Sequence, residues 1–244
     1  MKIAIVLLTL VSCLLKAEQV EFVAEDLPPY HFKDEFGQTK GVLVDIVHAV
    51  AKQAKMTYSI ELYPFARAFR LLKNKPNVLM FSLLKSPSRE EQFIWLGKVL
   101  HNSAYLVSLN GNELRLANLD QAKQYTVGTI RGYYSEAYLR KAGFEEEENL
   151  YLSVKYQNLW QMLFKKRIDF VLTNTFALNN ELSKLGFKVA DVEHSLELND
   201  FPNELHLVGN SSLSPAVANT LQQALKAIKE NGEYQRILNE WGLN

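Results

Sequence analysis

Short apolar runs alternate with amphipathic segments along most of the chain. The runs Val20–Ala24, Tyr58–Leu62 and Val78–Leu84 have the length and the apolar or alternating composition that are typical of strands. Apolar residues at helical spacing predict a helix over 42–55, and a second helix is predicted over 65–72. This order of strands and helices predicts an α/β fold with a mostly parallel sheet.

The same alternation restarts in the second half of the chain. Strands are predicted over 125–130, 150–154, 168–172 and 187–192, with helices between them. Residues 193–203 are predicted to be a looser polar stretch, because they contain no apolar run. The chain therefore contains two α/β units of similar order.

The second unit is inserted between the first unit and a C-terminal tail of one strand and two helices. We predict that strand-like crossings near 103–109 and 204–208 join the two units. Residues 18–104 and 204–244 then form lobe 1, and residues 105–203 form lobe 2. A ligand of such a design lies in the cleft between the lobes, and closure about the crossings would bury it.

The N-terminal segment differs from the rest of the chain. A lysine precedes an apolar run over 3–15, and Ala17 places a small residue before Glu18, so residues 1–17 are predicted to be a signal peptide. The run is too short for a transmembrane helix. The segment that ends at Cys13 also resembles a lipobox, and a lipid anchor at Cys13 is the alternative. Either interpretation predicts a periplasmic protein.

Composition and charge exclude several functions. Lysine plus arginine and aspartate plus glutamate each number 27, so charge gives no indication of a nucleic-acid partner. The five histidines are scattered without metal-ligand spacing, and the sequence lacks phosphate-binding and nucleophile-elbow motifs. We therefore expect neither a metal nor a cofactor.

The loop after the run Val78–Leu84 contains an arginine that is a candidate for ligand binding. Arg89 follows this apolar run at the end of a predicted strand, which is where open α/β sheets bind their ligands. A guanidinium can donate two parallel hydrogen bonds to one carboxylate. The alternative is that Arg89 is solvated or pairs with Glu90 or Glu91.

The loop after the first strand is a second candidate for ligand contact. Pro28 and Pro29 end the strand and fix the backbone of the loop. Tyr30 follows them, and its ring either stacks on a ligand or fills the core. Glu25 lies at the start of the same loop.

Seven segments, taken in order, resemble the family 3 bacterial extracellular solute-binding proteins, the group that includes the periplasmic polar-amino-acid-binding proteins of ABC transporters. The resemblance covers the chain after the signal peptide. It implies the type II periplasmic-binding-protein fold, with two doubly wound lobes joined by two crossover segments. The segments are AEDLPPYHF, GVLVDI, LYPFARAFRLL, FSLLKSPSREEQFIWLG, TVGTIRGYY, RIDFVLTN and NGEYQRILNEWG.

The resemblance implies roles for several residues. Arg89 occupies the position of the arginine that binds the ligand's carboxylate, and Ser82 occupies a ligand-contacting position, although it could equally be a packed strand serine. Asn174 stands where amino-acid binders have an aspartate that pairs with the α-ammonium group. An amide supplies no charge, so binding of an ammonium group would depend on Glu25 or Asp26.

Four further residues are predicted near the cleft, each with an alternative. Tyr134 stands where the family has a small hydroxyl residue, and Arg131 precedes it, which makes the mouth bulkier and more basic. Arg131 and Arg67 are equally compatible with the surface. Phe65 is either an apolar wall beneath the ligand or part of the core.

The function that the resemblance implies is capture of a small carboxylate-bearing solute, an amino acid or a related molecule, for the membrane permease of an ABC transporter. We expect a monomer that performs no chemistry. One alternative is a ligand-sensing protein for a separate receptor. The other is a dehydratase-like enzyme in which Glu25 donates a proton.

Overall fold

The computed structural model describes residues 19–112 and 114–243. The predicted signal peptide and the alternative anchor at Cys13 lie outside the described residues. The strands are β1 (Val20–Ala24), β2 (Phe32–Lys33), β3 (Thr39–Lys40), β4 (Tyr58–Leu62), β5 (Val78–Leu84), β6 (Ile94–His101), β7 (Ala104–Leu109), β8 (Val127–Ile130), β9 (Leu150–Ser153), β10 (Phe170–Asn174), β11 (Val192–Glu197) and β12 (Glu204–Gly209). The helices are α1 (Val42–Ala54), α2 (Phe65–Asn74), α3 (Tyr134–Lys141), α4 (Tyr156–Phe164), α5 (Thr175–Ser183), α6 (Pro215–Glu230) and α7 (Glu233–Glu240), with short 3-10 helices at Pro87–Gln92, Leu119–Gln124 and Val189–Asp191.

Ten of these strands form two five-stranded sheets. Sheet 1 has the order β4-β1-β5-β12-β6, in which β1 is parallel to β4 and β5, and β12 is antiparallel to both of its neighbours. Sheet 2 has the order β11-β7-β10-β8-β9, in which β8, β9 and β10 are parallel and β7 is antiparallel to β10 and β11. Each sheet therefore has a parallel part, as the alternation of strands and helices predicts.

Helices cover both sheets because their apolar stripes need burial. On α1 the buried stripe includes Val42, Leu43, Ile46 and Val50, and this helix packs against α6 beside sheet 1. The start of α6 follows from its sequence, because the hydroxyl of Ser214 accepts a hydrogen bond from the backbone of Val217 and a proline occupies the first turn. Within the described chain, no helix has the length and hydropathy that crossing a membrane requires.

The observed strand β11 corrects the prediction for 187–203. The predicted strand over 187–192 is wrong, because Val189–Asp191 forms a 3-10 helix. The strand lies at Val192–Glu197, so it begins at the last residue of the predicted strand and continues into the stretch 193–203 that was predicted to be loose. Phe187 instead stacks on Phe164, with 3.6 Å between ring centroids. β11 is a partly exposed edge strand with several polar residues. It therefore contains no apolar run that would predict a strand.

Two short segments connect the sheets. Asn102 and Ser103 join β6 to β7, and residues 198–203 join β11 to β12. The strands that were predicted to be crossings therefore belong to the sheets themselves, and the connections are shorter than expected. The lobe boundaries given above stay a prediction.

Candidate ligand-binding site

A cavity of about 120 Å³ lies between the sheets, at the carboxyl ends of their parallel strands. The loop after β1, the start of α2, the end of β5 and the 3-10 helix after it line one side. The loop after β8, the start of α3 and the end of β10 line the other. Both connecting segments also contribute, through Asn102 and Phe201. Seven of the nine residues predicted for the site line this cavity: Glu25, Tyr30, Phe65, Ser82, Arg89, Tyr134 and Asn174. Their contacts with a ligand stay a prediction.

Arg89 is the cation of this cavity, and it lies in the 3-10 helix that follows β5. Its Nη1 donates a 3.3 Å hydrogen bond to the carbonyl of Leu84, and the guanidinium lies 5.4 Å from the ring centroid of Phe69 and 5.8 Å from that of Tyr134. Partial burial lowers the pKa of Arg89. No carboxylate of the described residues is within salt-bridge distance, and Glu90 pairs with Lys85 at 3.1 Å. The guanidinium is thus held by ring faces and one carbonyl.

Asn174 has its side-chain oxygen fully engaged. It is the N-cap of α5, where Oδ1 accepts a 3.0 Å hydrogen bond from the backbone of Ala177. The same oxygen accepts a 2.5 Å hydrogen bond from the hydroxyl of Tyr30, on the opposite side of the cavity. A carbonyl oxygen has two lone pairs, so the group that Asn174 can still offer a ligand is its Nδ2 donor.

Tyr30 is buried, with 1% of its surface exposed, and it connects three parts of the site. Its hydroxyl bonds Asn174 and lies 2.8 Å from the side-chain amide of Asn102, in the first connecting segment. Its ring meets Phe176 edge to face at 5.0 Å. The ring is therefore packed in the core, as the second alternative for Tyr30 predicts, and its hydroxyl is at the cavity. Contact of the ring with a ligand stays a prediction.

Glu25 is the carboxyl group that lines the cavity. It is partly buried and accepts a hydrogen bond from the hydroxyl of Tyr133, which belongs to the other side of the cavity. Burial raises the pKa of Glu25 to about 7, against the opposing effect of the Tyr133 hydrogen bond, and the charge of Asp26 raises it further. Near neutral pH this carboxyl group therefore exists in both protonation states.

His31 is a neutral group in the same wall. Burial lowers the pKa of His31 to about 4. Its Nδ1 lies 2.6 Å from the carbonyl oxygen of Glu25, and a carbonyl can only accept, so Nδ1 carries the proton. Its Nε2 is then an acceptor, and this buried atom has no partner among the described residues.

Arg131 and Arg67 do not line the cavity, which corrects the expectation that they lie in the cleft. Arg131 is exposed and forms an ion pair with Glu146, a residue that also pairs with Arg140 at 2.9 Å. Arg67 lies on the exposed face of α2, over the ring of Tyr63 at 4.3 Å. Both cations have partners at the surface, so the cavity is less basic than the sequence suggested.

Several lining residues were missed in the sequence. Tyr133, at the end of the loop after β8, and Ser135, in the first turn of α3, line the cavity beside the predicted Tyr134. Ser135 also accepts a 2.6 Å hydrogen bond from Thr129. The ring centroids of Phe65 and Tyr133 lie 5.3 Å apart. The remaining missed residues with polar or aromatic side chains are His31, Asn102, Tyr156, Thr173 and Phe201. The polar pair 102–103 inside an otherwise apolar stretch was the signal that could have revealed Asn102.

The described residues contain no group of three or more His, Cys, Asp or Glu side chains arranged to hold a metal ion. The cavity instead combines one cation, one carboxyl group, hydroxyls, amides and aromatic rings. Two α/β lobes that enclose such a cavity at their strand ends define a two-lobed solute-binding protein. The chain belongs to the bacterial extracellular solute-binding proteins, family 3, since the model of that family matches residues 22–244.

Two relatives and one solved structure extend this finding. The chain is 28% identical over 236 residues to an arginine-binding ABC transporter protein of Escherichia coli (strain K12), an assignment that its name gives as provisional, and the match covers 92% of this chain and 91% of the relative. It is 26% identical over 242 residues to the arginine-binding periplasmic protein of Mannheimia haemolytica, covering 96% and 97%. An ancestral arginine-binding protein bound to arginine matches with a TM-score of 0.78 at 20% identity, covering 91% of this chain and 97% of that chain. The structural likeness confirms the predicted two-lobed, type II fold.

Proposed function

We propose that this protein binds a small carboxylate-bearing solute, an amino acid or a related acid, in the cavity between its sheets. The position of Arg89 carries the proposal. The guanidinium lies at a cavity, half-buried, and is not neutralised by a carboxylate of the described chain. A ligand carboxylate would supply the missing partner through two charge-assisted hydrogen bonds. Ser82, Ser135 and the Nδ2 of Asn174 add neutral hydrogen-bonding groups.

The experiment compares ligand-induced stabilisation in three proteins: wild type, Arg89→Ala, and Arg70→Ala, which removes an exposed arginine of α2. Each is melted with amino acids and small carboxylic acids. A ligand at about 100 times its dissociation constant adds about 3 kcal/mol, or roughly 5–10 °C for a chain of this size. We expect this shift in wild type and in Arg70→Ala and its loss in Arg89→Ala. A shift that survives in Arg89→Ala contradicts the proposal.

We propose further that the protein works outside the cytoplasm, as a monomer, and delivers its ligand to the membrane permease of an ABC transporter. Membership of an extracellular binding-protein family supports the location, and the transporter names of the relatives support the partner. Cross-linking of the ligand-bound protein in native membranes tests this, with a permease as the expected product. A sensory receptor as the main product would favour the sensing alternative.

Catalysis by Glu25 is a second candidate, favoured by one observation. The pKa of this carboxyl group is raised to about 7 by burial, so near neutral pH it can hold a proton for donation to a bound ligand. The step would be elimination of water from a hydroxy-carboxylate, in which Glu25 protonates the departing hydroxyl and a proton on the neighbouring carbon is released to solvent. NMR of the ligand after incubation would detect it. We expect unchanged ligand, and formation of an unsaturated product that depends on Glu25 would establish the enzyme.

A further inference from the structure

The charges that face the cavity are few. Among the described residues that line it, Arg89 is the fixed cation and Glu25 is the carboxyl group. His31 is neutral near pH 7, because burial lowers its pKa to about 4, and Glu25 is in part neutral there. The cavity is therefore singly positive when Glu25 holds its proton, and a ligand that complements this state carries one negative charge.

Asn174 presents a donor where an ammonium group would need an acceptor. Its Oδ1 already accepts from Tyr30 and from the backbone of Ala177, which leaves the two hydrogens of Nδ2. Donor hydrogens repel an ammonium group but complement a carboxylate or a hydroxyl. An ammonium group could use Asn174 only after displacing Tyr30, which would break a hydrogen bond between the two sides of the cavity.

Glu25 is a weak substitute for a dedicated ammonium partner. Its carboxyl group already accepts from the hydroxyl of Tyr133, and its proton would have to leave before it could pair with a cation. Asp26, on the same loop, is exposed and does not line this cavity. Neither of the two acids that the sequence offers as a replacement is therefore an unoccupied carboxylate in the cavity.

Among the described residues that line this cavity, His31 is 1% exposed and its buried Nε2 has no partner. This nitrogen is neutral and supplies no negative charge for an ammonium group. Much of the remaining wall is aromatic, with the rings of Phe65, Tyr134 and Phe201 among its lining. An apolar or aromatic body would be buried against these rings.

From these contacts we infer that the preferred ligand is a carboxylate without an α-ammonium group: a 2-hydroxy or unsubstituted acid with an apolar or aromatic body. The inference rests on the proposed function, because it assumes that the ligand's carboxylate binds Arg89. It distinguishes this chain from its relatives that are named for arginine, a ligand with two cationic groups.

The test uses ligands that differ at the α-carbon alone. One series is L-phenylalanine, L-3-phenyllactate and 3-phenylpropanoate, and the second is L-leucine, L-2-hydroxy-4-methylpentanoate and 4-methylpentanoate. L-Arginine is measured beside them. Calorimetric titration at pH 7 is expected to show at least tenfold tighter binding of the hydroxy or unsubstituted acid than of the amino acid in at least one series.

A substitution at Asn174 makes the test specific. Asn174→Asp keeps one oxygen for Tyr30 and Ala177 and replaces the donor nitrogen with a charged acceptor. We expect it to shift the preference toward the amino acid by at least tenfold. Asn158→Asp makes the same change of charge on the exposed face of α4 and should leave the preference unchanged.

Three outcomes separate the inference from the proposed function. Binding that needs Arg89, prefers the acids without ammonium and reverses in Asn174→Asp supports both. Binding that needs Arg89 but is equal or tighter for the amino acids overturns the inference and leaves the proposed function standing. No binding that depends on Arg89 in either series or with arginine overturns the proposed function, and the inference with it.

Discussion

The hydroxyl of Tyr30 donates a 2.5 Å hydrogen bond to Oδ1 of Asn174, which joins the loop after β1 in sheet 1 to the N-terminus of α5 beside sheet 2. The same oxygen caps α5. One amide therefore links a helix terminus to a contact between the two sides of the cavity. A ligand that displaces Tyr30 from Asn174 would break the contact between the two sides and leave the bond from Ala177 in place.

Tyr30→Phe removes this bond and the 2.8 Å contact with Asn102, while the packed ring remains. We expect the free energy of unfolding to fall by about 1–3 kcal/mol, since each lost hydrogen bond costs about 1 kcal/mol. Urea denaturation measures it. Tyr138→Phe is the matched control, because that hydroxyl donates a 2.6 Å bond to Asp200 where both residues are more exposed to solvent. Equal decreases in the free energy of unfolding of the two variants would show that the bond at the cavity stabilises the protein no more than an exposed one.

Arg89 is expected to serve binding at the expense of stability. Its guanidinium is half-buried without a carboxylate partner in the described chain, and burial lowers its pKa. Methionine has a similar length and can pack on Phe69, so Arg89→Met should leave the unliganded free energy of unfolding unchanged or raise it by up to about 1 kcal/mol.

Two measurements on Arg89→Met test this expectation. Chemical denaturation without ligand gives the free energy of unfolding, which should stay unchanged or rise. The ligand-induced shift in melting temperature reports binding, and it should be lost. A drop in unliganded stability of more than about 1 kcal/mol would mean that Arg89 is mainly structural.

Gly41 fixes the loop that presents Tyr30. Its φ is 134°, and a Cβ there would overlap the carbonyl of Tyr30 and lie 2.7 Å from the backbone nitrogen of His31. Gly41→Ala should therefore cost about 3 kcal/mol or more. Gly37→Ala is the control, because Gly37 also has a positive φ, 74°, but its Cβ would meet open space. Gly37→Ala should lower the free energy of unfolding by about 1 kcal/mol. A similar decrease in the two variants would show that Gly41 does not pack tightly against the backbone of Tyr30.

The predicted fold relied on local patterns, which explains where it succeeded. β1, β4 and β5 have the predicted bounds. β1 and β5 are central strands that form apolar runs with clear ends, and the edge strand β4 shows a local alternation of apolar and polar residues. The edge strand β11 was misplaced because its identity depends on pairing with β7, which is distant in sequence. Pairing of this kind leaves only a weak period-2 pattern in the strand itself.

The site was predictable where a residue's position in the chain decides its role. Arg89 lies at the cavity because it follows a strand end. Arg131 also follows a strand end, yet its partner is Glu146, whose place beside it depends on tertiary structure. Asn174 was predicted from its position in the chain. The hydrogen bond from Tyr30 to its oxygen could not be predicted, because it depends on how the two sheets lie against each other. Contacts between the sheets are thus what sequence patterns leave out.

A buried carboxyl group outside the main cavity gives the last prediction. Glu181, on α5, is 8% exposed, and its Oε2 accepts a 2.8 Å hydrogen bond from the indole of Trp160. Burial raises the pKa of Glu181 from 4.5 to about 7, although the hydrogen bonds from Trp160 and Thr173 and the charge of Lys184 oppose this.

The sign of the pH effect follows from this shift. Between pH 4.5 and 7 the native state holds a proton on Glu181 that the unfolded state releases, so this group's stabilisation is complete below pH 4.5 and is lost as the pH rises through 7. Glu181→Gln keeps an acceptor for Trp160 and removes the titration. From pH 5 to pH 8, wild type should lose about 2–3 kcal/mol relative to Glu181→Gln. Urea denaturation at the two pH values measures this, with the exposed Glu148→Gln as a control that follows wild type. An equal change in the free energy of unfolding between pH 5 and pH 8 in wild type and Glu181→Gln would show that Glu181 does not carry a proton in the native state.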